Sequence, residues 1–142
     1  MIAIASDHGG FLLKEKIIKH LNECGVEYID LGTHSEDSCD YPDYAFELSE
    51  AVASKKYECG ILICGTGIGV SICANRVKGI RAAVCTNTTM AKLARQHNDA
   101  NVLCIGARII GDVLANEIID EFLNTDFLEG RHRRRVDKIN NY

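Results

Sequence analysis

Gly60-Ile61-Leu62-Ile63-Cys64-Gly65-Thr66-Gly67-Ile68-Gly69 is the stretch that decides how this chain folds. The apolar run 60–64 reads as a buried strand, and the alternate glycines after it read as a loop that opens a helix. Unpaired backbone N–H groups at the start of such a helix form a pocket for negative charge. A thiol delivered there gains acidity, so Cys64 is a candidate base. A base beside an oxyanion pocket points to proton abstraction next to a carbonyl.

The same apolar-then-polar rhythm extends in both directions. Strand-like runs occur at residues 2–5, 26–31, 60–64, 80–85 and 102–106. Between them, helical spacing fills 11–24, where Leu13, Ile17, Leu21 and Cys24 recur every three or four positions and Gly25 supplies a stop. Pro42 and Asp43 begin a second helix through about Ser54, with Ala45, Leu48, Val52 and Phe46 as its apolar side. Further helices fit 68–75, 88–96, 112–124 and 131–139. Strands alternating with helices imply a parallel sheet covered on both faces. The expected fold is α/β: one domain over residues 1–142, a three-layer α/β/α sandwich, Rossmann-like, with a five-stranded parallel sheet. Ligands in such sheets bind beyond the carboxyl ends of the strands, which here carry Asp7-His8-Gly9-Gly10, the Cys64 loop and Thr86-Asn87.

With 142 residues and a net charge of −4, the chain has no global field favouring nucleic acid or an anionic membrane. Any anion site must be a local cluster. Seven cysteines, an odd number, and an N-terminus that reads as a first strand rather than a leader point to free thiols in the cytoplasm.

The glycine loop departs from the nucleotide fingerprints. Position 70 is Val where the dinucleotide motif wants its third glycine, Cys85-Thr86-Asn87 offers no carboxylate, and no lysine follows for a P-loop. A non-catalytic nucleotide-binding module and a redox-sensing role for Cys64 stay open as readings of another class. Cys24, Cys59, Cys73, Cys85 and Cys104 read as small core hydrophobes, and Cys39 as a loop residue. No cysteine or histidine pair has a zinc-site spacing, so no metal is expected. His20 and His34 read as surface or loop residues, whereas His8, His97 and His132 have polar company. Arg131-His132-Arg133-Arg134-Arg135 is too short, in too acidic a chain and without interleaved aromatics, to suggest nucleic acid. Arg131 and Arg135 stand one helical turn apart, which suits two guanidinium forks on one phosphate dianion.

Taken together, the motifs resemble the ribose-5-phosphate isomerase type B family, which includes galactose-6-phosphate isomerase subunits. The resemblance rests on Ser6-Asp7-His8-Gly9-Gly10, Asp40-Tyr41-Pro42, the stretch from Gly60 to Gly69, Gly79-Ile80-Arg81-Ala82, Arg95 to Asn101 and Gly130-Arg131-His132 through Val136, and it spans essentially the whole chain. It implies an aldose-ketose isomerase that needs no cofactor and interconverts ribose 5-phosphate and ribulose 5-phosphate, with allose or galactose 6-phosphate as alternative substrates. On the same basis Cys64 is the base, His97 opens the sugar ring, and Asp7 and His8 contact the sugar. Gly65, Thr66, Gly67, Ile68 and Gly69 hold the enediolate oxygen, with Asn98 adding a hydrogen bond. Arg108, Arg131 and Arg135 hold phosphate, and Tyr41 lines the sugar pocket. Thr66 is placed to help move a proton between the two sugar oxygens. One branch of the family uses a glutamate just after the glycine loop; Val70 stands there in this chain, which places it in the cysteine branch.

Topology adds an expectation about assembly. His97 follows a helix returning from the fourth strand, so it belongs at the amino end of the sheet, one strand length from Cys64. Strands of five or six residues run about 17–20 Å, too far for both side chains to reach one small sugar. The expected partner is therefore a second copy of the chain, in a two-fold homodimer with shared active sites, with further pairing into a tetramer left open.

Overall fold

A computed structural model describes all 142 residues. Five strands, β1 (Ile2–Ser6), β2 (Tyr28–Asp30), β3 (Gly60–Cys64), β4 (Ala82–Val84) and β5 (Val102–Gly106), form one all-parallel sheet in the order β2-β1-β3-β5-β4. Six helices, α1 (Phe11–Glu23), α2 (Tyr41–Ala53), α3 (Ile68–Ala74), α4 (Thr88–Asn98), α5 (Asp112–Asn124) and α6 (Arg131–Asn140), connect or follow the strands.

Side-chain alternation along the three central strands separates two cores. Ile2, Ile4, Ile61, Ile63, Leu103 and Ile105 face α1, α4 and α5, while Ala3, Ala5, Leu62, Cys64, Val102 and Cys104 face α2 and α3. This is the three-layer sandwich that the alternating pattern requires.

The two edge strands are shorter than their apolar runs. Val26 does not join β2, because its N–H bonds the carbonyl of Leu21 while Gly25, at φ 70°, bonds Asn22. Those two bonds are the Schellman closure of α1. Before β4, Ile80 is held in a turn onto Val77, and the Arg81 N–H is taken by the Asn101 side chain at 2.8 Å. Apolar residues mark burial at both places, but turn chemistry claims their backbone. At the other boundary of interest, α4 runs through Asn98, so His97 and Asn98 occupy its last turn rather than a loop.

Two of the cysteines assigned to the core lie elsewhere. Cys24 ends α1 and is exposed, and Cys59 is half-buried, whereas Cys73, Cys85 and Cys104 are buried. No helix is long and apolar enough to cross a membrane.

Candidate active site

The carboxyl ends of β1, β3 and β5 bring together the first group of candidate residues. β3 ends at Cys64, 4% exposed, and the chain turns back through Gly67 at φ 79°, a left-handed conformation that favours glycine. The turn aims the Gly67 N–H at the Cys64 sulfur, 3.1 Å away. A thiolate accepts such a bond more strongly than a thiol does. α3 has only seven residues, so this aimed N–H, more than the helix dipole, supports negative charge at the sulfur.

Neighbouring strand ends complete this edge. The Asp7 N–H bonds the Ile63 carbonyl, and its carboxylate accepts the Gly10 N–H at 3.0 Å, which fixes the Asp7 side chain beside the glycine loop. His8 is held through Nδ1, which accepts the Cys39 N–H at 3.2 Å. That bond makes Nε2 the protonated nitrogen of the neutral ring, so His8 presents a donor. From β5, Arg108 bonds the Gly65 carbonyl through its N–H and lays its guanidinium over Gly65. Tyr41, at the start of α2, packs against the backbone of Gly69. Thr66 is exposed and its Oγ1 accepts the Ile68 N–H at 3.2 Å.

The remaining candidates lie at the opposite edge of the sheet. Arg81, immediately before β4, donates to the carbonyls of Asn98 and Asp99 and to Asn140 of α6, so the ends of α4 and α6 gather where β4 and β5 begin. The His97 ring stacks on His132 of α6. Burial comes first in holding His132 below the ordinary histidine range, followed by His97, Arg131 and Arg135. Arg131 and Arg135 are exposed, and neither has a carboxylate partner; the partnered member of the cluster is Arg133, with Glu129 at 2.7 Å. β3 and β5 pair from Gly60↔Val102 to Cys64↔Gly106. Five residues at about 3.3 Å each separate the two edges by roughly 17 Å.

Three contributors were not legible as such. Lys14 is fully buried, yet its ammonium pairs with Asp30 at 2.5 Å, and Asp30 also accepts the Gly32 N–H, bracing the segment that leads to Cys39. Helical spacing shows Lys14 only as the neighbour of Leu13. Arg81 and Cys39 act through backbone groups that no residue pattern announces. Away from both edges, His20, read as a surface residue, bonds Asp120 at 2.7 Å, with Cys24 beside it. The α1–α5 contact thus gathers donors that lie far apart in sequence.

A parallel α/β sandwich whose central strand ends in a buried thiol and a glycine loop defines a Rossmann-like fold with its candidate site at the sheet's carboxyl edge. A family model described as Ribose/Galactose Isomerase matches residues 2–139, and the chain belongs to that family. Ribose-5-phosphate isomerase B of Escherichia coli is 51% identical over 138 residues, 97% of this chain and 93% of that protein. A solved structure of ribose-5-phosphate isomerase B from Clostridium thermocellum superposes with a TM-score of 0.97 at 53% identity, covering 99% of this chain and 95% of that one. The Mycoplasma genitalium isomerase B, solved with bound ribulose-5-phosphate, gives a TM-score of 0.94 at 46% identity over 99% of this chain and 94% of that one.

Proposed function

We propose that this protein interconverts ribose 5-phosphate and ribulose 5-phosphate through an enediolate, in a site shared between two copies of the chain. The observation that carries the reading is the buried Cys64 sulfur set 3.1 Å from the Gly67 N–H at the mouth of a glycine loop. The 46% identical relative with bound ribulose-5-phosphate supports the choice of sugar.

In this mechanism His97 takes the proton from the anomeric hydroxyl as the ring C–O bond breaks and passes it to the ring oxygen, which becomes a hydroxyl. The Cys64 thiolate then removes the proton on C2 of the open aldose. Electrons of that C–H bond form the C1–C2 double bond, and charge develops on the C1 oxygen, where N–H groups of Gly65 to Gly69 stabilise it by several kcal/mol. Return of the proton to C1, with Thr66 moving the hydroxyl proton between the two oxygens, yields the ketose. Asp7, His8 and Tyr41 hold the sugar and Asn98 adds a hydrogen bond. Arg108, Arg131 and Arg135 supply donors and positive charge for the phosphate.

The shared site follows from distance. Two groups at opposite sheet edges, roughly 17 Å apart, cannot both touch a five-carbon sugar, so His97, Asn98, Arg131 and Arg135 come from the partner copy. Ile68 and Ile72 on α3, 56% and 60% exposed, together with Met90 and Leu93 on α4, supply apolar surface for that contact. Free cysteines throughout support a reducing, cytoplasmic setting.

The test is ketose formation by purified protein in EDTA from ribose 5-phosphate, with allose 6-phosphate and galactose 6-phosphate in parallel. Preferred turnover of the pentose is the expected result. The family description also names galactose, and turnover of a hexose phosphate alone would keep the chemistry and change the substrate. No turnover of any of the three, with saturable calorimetric heat from NAD or ATP, would replace the isomerase by a nucleotide-binding module.

A further inference from the structure

On the α1–α5 side of the sandwich, away from both halves of the proposed site, a second cluster of chemically able groups stands unused. His20 Nε2, Cys24 Sγ and a carboxylate oxygen of Asp120 all lie within 4.8 Å of one another. His20 and Cys24 are one turn apart on α1, with Nε2 and Sγ 3.7 Å apart, and Asp120 reaches in from α5 to 2.7 Å from the same nitrogen.

We propose that these three side chains form a binding site for a soft divalent cation of the zinc type. Tetrahedral zinc, with bonds of about 2.0–2.1 Å to nitrogen, 2.0–2.2 Å to oxygen and 2.3 Å to sulfur, sets nitrogen and sulfur about 3.6 Å apart and nitrogen and oxygen about 3.3 Å apart. The nitrogen–sulfur separation already has that value. The nitrogen–oxygen separation must open by about 0.6 Å, which the half-exposed Asp120 side chain allows by rotation. The donors themselves, one thiolate, one imidazole and one carboxylate, suit zinc or cobalt and not the all-oxygen preference of magnesium or calcium. The fourth position is open to water.

The two helices run side by side beneath the cluster. Two turns before Asp120, Asp112 faces Lys16 of α1 at 3.8 Å, so Lys16, His20 and Cys24 run alongside Asp112, Asn116 and Asp120. Between them, Asn116 Oδ1 is shielded from solvent and has no hydrogen-bond partner. It is an unused oxygen donor one turn from Asp120 on the same helix. The Schellman closure at Gly25 fixes the turn on which Cys24 sits. A bound ion would tie the end of α1 to α5, and because it needs a thiolate and a neutral imidazole, its affinity would fall as the pH falls.

Cobalt(II) is the probe, added to the reduced full-length protein, because a thiolate ligand gives a near-ultraviolet charge-transfer band that a histidine or carboxylate does not. The native protein is expected to show that band, saturating at one ion per chain and displaced by zinc. Cys24→Ala, an exposed position, is expected to abolish it, and His20→Ala and Asp120→Asn to weaken binding at least about tenfold, since even outer-shell partners of a metal site cost that much. A native protein without the band, a band at full intensity in Cys24→Ala, or undiminished affinity in both His20→Ala and Asp120→Asn would overturn the proposal. The readout is independent of turnover.

Discussion

The rings of His97 and His132 stack face to face, centroids 4.3 Å apart and planes 8° from parallel. This contact joins the last turn of α4 to the first turn of α6, and it orients the imidazole assigned to ring opening. It also places Arg131 and Arg135 beside the same ring pair, so the proposed phosphate clamp and the ring-opening group form one unit. His132 carries this arrangement by packing, without being assigned a proton of the reaction.

The stack predicts a pH effect. His132 is held below its ordinary value, near pKa 6.5 for a free histidine, by burial and then by its positively inclined neighbours. The unfolded chain therefore binds the proton first. The contribution to stability is fully present above about pH 6.5 and is lost as the pH falls toward the folded-state value. In an NMR titration the His132 resonance should move at a midpoint below 6.5, and Arg135→Gln should raise that midpoint. A midpoint at or above 6.5 in the native protein would contradict the packing argument.

Stability should depend on the partner of a buried ammonium. Asp30→Asn leaves the fully buried Lys14 without its counter-charge, a change that costs about 3–5 kcal/mol in comparable cases. Lys14→Met, which removes the buried charge itself and leaves only the partly exposed Asp30, should cost less. Urea unfolding of the two variants checks the order; equal or reversed costs would mean that the pair does not brace the segment between β2 and Cys39.

Thiol reactivity should sort the cysteines by environment. Burial pushes Cys59 and Cys85 up to about 11 and Cys104 well above the usual thiol range. At pH 8, alkylation with iodoacetamide should therefore reach the exposed Cys24 first and leave Cys85 and Cys104 unmodified in the folded protein. Sugar phosphate should protect Cys64 and leave Cys24 unprotected, as mass spectrometry of the peptides would show. Protection of both alike would separate Cys64 from the ligand site.

Backbone closeness supplies a further prediction. A Cβ at Gly106 would meet the Thr66 carbonyl carbon and oxygen at 2.6 Å, so β5 and the glycine loop touch through main-chain atoms. Gly106→Ala should cost about 1–3 kcal/mol by overpacking and should lower turnover by displacing Thr66. Full turnover at lowered stability would detach Thr66 from proton movement.

The sheet, its parallel sense and six helices were legible because apolar runs of strand length alternate with periodic segments, and Gly25, Pro42 and the glycine loop punctuate them. Strand order was not, since no local signal tells β1 to pair with β3 and β3 with β5. At the proposed site, Cys64 and its loop could be read locally because a strand, a thiol and glycines adjoin in sequence. The Cys39 N–H on His8, the Arg81 contacts with Asn98 and Asp99, and the His97–His132 stack could not, because each joins residues through the folded chain and two of them use backbone atoms. The apolar runs also overestimated β2 and β4, where the half-buried Val26 and the buried Ile80 give their N–H groups to turns.

Subunit complementation tests the shared site most directly. Cys64→Ala should lower turnover of ribose 5-phosphate about 10²–10⁴-fold by loss of its base, and His97→Ala should lower it strongly by loss of ring opening. Mixed in equal amounts under conditions of proven subunit exchange, half of the dimers are hybrids, each with one intact site of two. The shared-site account predicts recovery of about one quarter of native activity. No recovery in those hybrids would contradict it and put Cys64 and His97 to work within one chain or leave one of them out of the reaction.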